Sequence, residues 1–281
     1  MRAAEERLSA DIAHIRSGDA ISDRLHGSTG PSLLLLGNSL TREGIIPDLL
    51  AAANQQDLKV EAYHPDGSSV NEWAYAYRRY FDRPGSAPDY LIIGAGRSHL
   101  FDGELPPDDF GAYYCSWNDL PRYFARHVHD PDDAAGFLLS RISTAYTSRH
   151  RIQPRVFTAI IPHYQDMLRE LQTQPRSITG QEEGELGHRN LAELLGAARA
   201  AGTRVAVVAI PMPEPYPLPG STVQVIADGG AALIDARNLA GIEVSNFPDS
   251  YHLDAAGAGV LTEYVISQVQ PLWWPDSTHG N

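Results

Sequence analysis

Short, nearly unbroken apolar runs alternate with stretches of helical composition along this chain, and that rhythm limits the fold more than any other feature. Residues 33–36, 58–63, 90–94, 204–210 and 242–245 read as strands, and residues 41–54, 70–81, 190–201, 223–239 and 255–269 read as helices. A strand that is apolar at successive positions is covered on both faces, which is the mark of a parallel sheet with helices packed above and below it. Right-handed crossovers then give an α/β fold, a three-layer α/β/α sandwich around a central parallel sheet.

Two regions fall outside the rhythm. Residues 1–30 form an N-terminal helical extension, with Ala4, Leu8, Ile12 and Ile15 spaced as the packing face of a helix and Gly27-Ser28-Thr29-Gly30-Pro31 as its break. Residues 31–275 make a single α/β domain, interrupted at 100–189 by a mainly helical, cap-like insertion. Only residues 156–161 of that insertion look like a strand, its aromatic residues serve chiefly as core, and residues 173–184 read as a mobile polar loop.

The first apolar run stops at Gly37-Asn38-Ser39. A serine between a buried strand and a helix start stands at the carboxyl edge of a parallel sheet, where the first helical N–H groups are unpaired and face developing negative charge. A serine hydroxyl is a weak nucleophile, so such a site needs a base. Near the other end, Asp249 precedes His252 by three positions, just before a small-residue helix. That spacing lets a carboxylate hold one imidazole nitrogen while the other points outward. Asp254 lies closer to His252 in sequence, two positions away, but occupies the position of a helix N-cap.

Together the segments Leu35-Leu36-Gly37-Asn38-Ser39-Leu40-Thr41 and Asp249-Ser250-Tyr251-His252 resemble the SGNH (GDSL-like) hydrolase family, with Asn38 where the family usually has aspartate. The resemblance spans roughly residues 31–100 and 203–269 and leans toward the branch that includes polysaccharide O-acyl-transfer proteins. It implies a catalytic triad of Ser39, Asp249 and His252. It also implies an oxyanion hole built from Ser39, from Gly67 in His64-Pro65-Asp66-Gly67, and from Ser98. In Gly96-Arg97-Ser98-His99, Ser98 stands where the family keeps asparagine, and a hydroxyl replaces a fixed amide donor. Asn38 and Arg97 are read as substrate-binding. The implied activity is serine-dependent esterase action on a small-molecule or glycan acyl ester. The alternatives are an O-acyltransferase with the same triad, a non-catalytic binding module of the same fold, and a lyase or condensing step with His252 as base.

Bulk properties narrow the partners. With 22 basic against 35 acidic residues the net charge is −13, which repels phosphates and anionic lipid, so no nucleic acid and no membrane partner is expected. The single cysteine, Cys115, excludes an intrachain disulfide, and a charged N-terminus with no long apolar run points to a soluble, cytoplasmic protein. No cofactor and no metal is called for. His127-Val128-His129-Asp130 reads as a solvated loop rather than a ligand set, and Gly94-Ala95-Gly96 lacks the third glycine of a dinucleotide fingerprint.

Overall fold

The computed structural model describes residues 10–54, 57–103, 105, 110–147, 149, 157–158, 160–161 and 187–274. Internal contacts divide the chain into two units, residues 14–103 with 187–281 and residues 1–13 with 104–186.

Helix α1 (Ala10–His26) precedes strand β1 (Ser32–Leu36), and two short helices, α2 (Ser39–Gly44) and α3 (Pro47–Ala53), lead into β2 (Lys59–Tyr63). Helix α4 (Val70–Ala76) runs into a π-helical turn over Tyr77–Phe81 before β3 (Tyr90–Ala95). The other unit contributes a π-helical turn at Phe110–Tyr114, then α5 (Leu120–His127), α6 (Pro131–Ile142) and α7 (Thr144–Thr147). The chain returns through α8 (Arg189–Ala200), β4 (Arg204–Ala209), α9 (Gly220–Asp228) and β5 (Ala232–Asp235). It ends with a 3-10 turn at Val244–Asn246 and the long α10 (Ala255–Trp273).

All strand pairings are parallel, in the order β2-β1-β3-β4-β5. The chain moves outward from β1 to β2 and then back across to β3. The carboxyl ends of β1 and β3 therefore flank a point where strand order reverses, the place at which open α/β sheets leave a crevice.

Both faces are covered, as the apolar strands require. Leu33, Leu35, Ile92, Ala206, Val208 and Ile234 pack in one cluster with Leu40, Leu50, Leu261, Val265 and Val269, the inward residues of α2, α3 and α10. By strand alternation Leu34, Leu36, Leu91, Ile93, Val205 and Val207 face the opposite side. All six are buried, beneath the layer in which α4 and α9 pack against α8. Each fully buried Leu or Val contributes about 1.5–3 kcal/mol to folding. The sheet that positions the site is thus firmly held from both faces.

Three boundaries differ from those read in the sequence, each for a local reason. The helix read over 41–54 is broken at Ile45 and Ile46, both extended, because the residue before Pro47 is pushed out of the α region and Pro47 restarts the helix at its first position. The helix read over 223–239 stops at Asp228, where Gly229 and Gly230, the latter at φ +74°, end it. The fifth strand is therefore Ala232–Asp235, and residues 244–246 of the run read as a strand at 242–245 are a 3-10 turn instead. Within 156–161, read as a strand, Phe157, Thr158 and Ile160 are helical, and residues 173–184 lie outside those described. In the second unit the rings of Phe110, Tyr123 and Phe137 stack at 4.9 and 4.2 Å and are buried, so these aromatics do form core. Asp130 caps α6 by accepting from Asp132 N and Asp133 N.

Candidate active site

Ser39 is the first residue of α2 and lies directly beyond the carboxyl end of β1. Asn38 caps that helix, its Oδ1 accepting from Leu40 N at 3.0 Å while its Nδ2 donates to Ser68 O at 2.9 Å. The tight approach behind it depends on glycine. Thr41 is wholly buried, and its hydroxyl donates to Gly94 O at 2.9 Å. A Cβ on either Gly37 or Gly94 would fall well inside contact distance of Thr41 Oγ1. Thr41 is thus a wedge that locks the nucleophile turn onto β3.

The late segment reaches Ser39 because it is pinned at both ends. Phe247 and Leu253 are buried in the cluster that holds Leu40 and Leu261, and a Cβ on Gly44, the last residue of α2, would meet Leu253 at 3.7 Å and Leu261 at 3.3 Å. Between those anchors the chain makes a tight loop around one carboxylate. Asp249 Oδ1 accepts from Tyr251 N at 2.9 Å and His252 N at 2.7 Å, and Asp249 Oδ2 lies 2.6 Å from His252 Nδ1. His252 Nε2 is 2.8 Å from Ser39 Oγ, which joins residues 213 positions apart. The His252 backbone N–H first, and its imidazole second, hold the Asp249 carboxyl down to about 2. Tyr251 meets the imidazole edge-on, with ring centroids 5.0 Å apart. Asp254 takes no part: its Oδ1 accepts from Gly257 N at 2.8 Å and from Asn246 Nδ2 at 3.2 Å, as the N-cap of α10.

Gly67 adopts φ +66°, a left-handed conformation that favours glycine, in the loop after β2. Among the described residues neither the Ser39 N–H nor the Gly67 N–H has a hydrogen-bond partner, while Leu40, Thr41 and Arg42 N–H all bond to Asn38. Ser98 and Arg97 lie exposed in the turn after β3, Arg97 Nη1 3.9 Å from Glu214. No hydrogen bond joins either to Ser39, Asp249 or His252 among the described residues. Asn38, read from sequence as substrate-binding, is 2 % exposed and uses both ends of its amide inside the protein, which makes it a strut rather than a surface contact.

His99 is not among the site residues that the sequence points to. It is mostly buried, its Nδ1 accepts from Gly96 N at 3.2 Å, and its ring packs near Trp73. Burial lowers it to about 4, so it is a neutral acceptor that shapes the third turn. The pairing of Arg42 with Asp66 is likewise not among the sequence expectations. Only the placement of Arg42 three residues after Ser39, and of Asp66 one before Gly67, hinted at that link. A cavity of about 240 Å³ opens beyond β4 and β5, lined by Met212, Leu239, Val244 and Phe247 among others. The loop that lines it with Val244 and Phe247 goes on to carry Asp249 and His252.

Fold and geometry together define a parallel α/β protein with a serine–histidine–aspartate hydrogen-bond chain at the carboxyl edge of its sheet. Solved structures similar to the chain include TesA, at 17 % identity over 86 % of this chain and 99 % of that one, with a TM-score of 0.42. Another is LAE5, an alpha/beta hydrolase enzyme from the metagenome of Lake Arreo, Spain (16 % identity, 86 % and 96 % covered, TM-score 0.43). A third is Axe2, an acetylxylan esterase from Geobacillus stearothermophilus (11 % identity, 87 % and 96 % covered, TM-score 0.42). No protein-family model and no curated protein matches the chain. Among the described residues no helix is long and apolar enough to cross a membrane.

Proposed function

We propose that the protein is a serine-dependent esterase of the SGNH (GDSL-like) type that acts on a small-molecule or glycan acyl ester through an acyl-enzyme at Ser39. The observation that supports this most is the continuous chain Ser39 Oγ, His252 Nε2, His252 Nδ1, Asp249 Oδ2, with links of 2.8 and 2.6 Å. In this reading Asp249 keeps the Nδ1 proton in place, which leaves the Nε2 lone pair to accept the serine proton as Oγ attacks the ester carbonyl. The tetrahedral adduct collapses, and His252 returns that proton to the departing alcohol. Water, deprotonated by the same nitrogen, then attacks the acyl-serine and releases the acid with Ser39 restored.

The N–H groups of Ser39 and Gly67, unpartnered among the described residues, are the proposed oxyanion donors, with the Ser98 hydroxyl as a third. One such donor is worth about 10²–10³ in turnover. Arg97, at the exposed rim, is the proposed charged contact to substrate. The reading uses no cofactor.

Fluorophosphonate labelling tests it. The wild type is expected to label rapidly and to hydrolyse p-nitrophenyl esters, and Ser39→Ala to do neither. An unlabelled, inactive wild type would overturn the esterase and leave a binding module of the same fold. Product analysis with an added alcohol then assigns the second half-reaction: free acid supports hydrolysis, whereas acylated alcohol as the main product makes the protein an O-acyltransferase.

A further inference from the structure

Two cross-links join the nucleophile turn to the loop that carries Gly67, and they flank the two groups of interest symmetrically. Asn38, one residue before Ser39, donates to the carbonyl of Ser68, one residue after Gly67, at 2.9 Å. Arg42, one helical turn after Ser39, pairs through Nη1 with Asp66, one residue before Gly67. The same nitrogen lies 3.2 Å from His14 Nδ1, and Arg42 Nε is 3.0 Å from Glu43 Oε1, so the guanidinium is oriented from three sides. The Gly67 loop is braced from within as well: Ser68 Oγ donates to Pro65 O at 2.6 Å and accepts from Trp73 Nε1 at 2.7 Å.

From this arrangement we infer that Asn38 and Arg42 are positioning residues that set the distance between the Ser39 hydroxyl and the Gly67 N–H; the inference rests on the esterase reading above. Its chemistry explains why an amide occupies position 38. A carboxylate there would still cap α2 through Leu40 N, but it has no hydrogen to give Ser68 O and would face that carbonyl oxygen as a second acceptor. Arg42 contributes a charge-assisted bond to Asp66, with a rigid planar donor that lysine does not reproduce. Gly67, in a left-handed conformation and with no partner for its N–H among the described residues, has little of its own to fix its direction. Fixed donors aimed at developing charge are what such a site supplies, and a displacement of about 1 Å can cost about a hundredfold in rate.

The experiment compares kcat and KM for p-nitrophenyl acetate, with melting temperature, across the wild type, Asn38→Asp, Arg42→Ala, Arg42→Lys, Asp66→Ala, Asp66→Asn and the Arg42→Ala/Asp66→Ala double variant. The expected result is a fall in kcat of about 10- to 100-fold in each alanine variant and in Asn38→Asp, with KM changed less than about threefold. The double variant is expected to be no slower than either single one, and Arg42→Lys to recover part of the loss. Unchanged kcat in Arg42→Ala and Asp66→Ala, additive losses in the double variant, or losses carried by KM alone would overturn the inference. If an alanine variant fails to fold, Arg42→Lys and Asp66→Asn decide it by the same split. An inert, unlabelled wild type removes both readings, whereas an active wild type with unaffected tether variants removes only this one.

Discussion

Ser39 and His252 meet across one hydrogen bond, yet the regions that deliver them are built in opposite ways. The serine turn is set in the core: Asn38 is 2 % exposed, Thr41 is wholly buried, and the chain is wedged against β3 by a threonine between two glycines. The aspartate–histidine loop is at the surface, with side chains 54 % exposed at Asp249 and 28 % at His252, and it is shaped mainly by its own N–H groups closing on one carboxylate. Only its ends, Phe247 and Leu253, are buried. The nucleophile is therefore placed by packing, and its partners by a local turn. Overpacking in the first region should cost stability, and substitutions in the second should cost chemistry.

The sharpest way to break that contrast is Asp249→Asn. The amide retains the shape of the loop, but without the charge it no longer favours the imidazole tautomer that leaves Nε2 free. Turnover should fall by about 10³–10⁴ while the melting temperature barely moves. A large loss of stability in this variant, measured by thermal unfolding, would show that the surface loop is structural after all.

Gly37→Ala probes the other side. A methyl group there collides with Thr41 Oγ1 and Cβ and approaches Gly94 O to 3.0 Å, and none of these is the free end of a flexible side chain. Overpacking of this kind costs about 1–3 kcal/mol. Denaturant unfolding should show that loss, and adding Thr41→Ala should recover part of it by removing the Oγ1 that lies closest, although Cβ stays. Stability unaffected by Gly37→Ala would mean that packing does not place the nucleophile.

The same contrast governs what the sequence revealed. The Asp-x-x-His spacing is local, so the loop's carboxylate–imidazole bond is legible in a four-residue segment, and the buried strands announce themselves by composition. What escaped was pairwise and long-range. Apart from their places beside Ser39 and Gly67, nothing marks Asp66 as the partner of Arg42, and the ring of His99 packs near Trp73 from another element. The sequence places the fifth strand late because Ala232–Asp235 is short and continues a helical pattern. Gly229-Gly230 is the stop, and the apolar residues at 242–245 serve the rim of a cavity instead of a sheet. Asn38 is a related case: in sequence it reads as a substrate contact, and only the structure shows that both ends of the amide are taken.

A pH series sharpens the comparison with a smaller effect. The folded Asp249 carboxyl lies at about 2, below its unfolded value of 3.8. A depressed acid stabilises the fold wherever the unfolded group is ionised, above about 3.8, and that contribution disappears as pH falls through about 2. The gap in melting temperature between wild type and Asp249→Asn, small at neutral pH because the group is exposed, should therefore hold down to pH 4 and close by pH 2. A gap that closes instead between pH 7 and 5 would point to a different titrating group.

The smallest effect is expected at Ser250, which holds φ +63° in the middle of the loop. Its conformation is imposed on both sides: its N–H bonds to Phe247 O at 3.0 Å, and the next two N–H groups turn back onto Asp249. A left-handed conformation costs a residue with a Cβ roughly 1–2 kcal/mol relative to glycine, and glycine in turn loses more chain entropy on folding. Ser250→Gly should consequently change stability by less than about 1 kcal/mol, in the stabilising direction where relief of strain wins. Turnover is the more telling measurement. If the Asp249 bonds alone define the loop, kcat stays near wild type. If the serine side chain restricts where the loop can go, the glycine variant keeps its melting temperature and loses turnover, since a freer backbone between Asp249 and His252 spends less time with Nε2 within 2.8 Å of Ser39 Oγ.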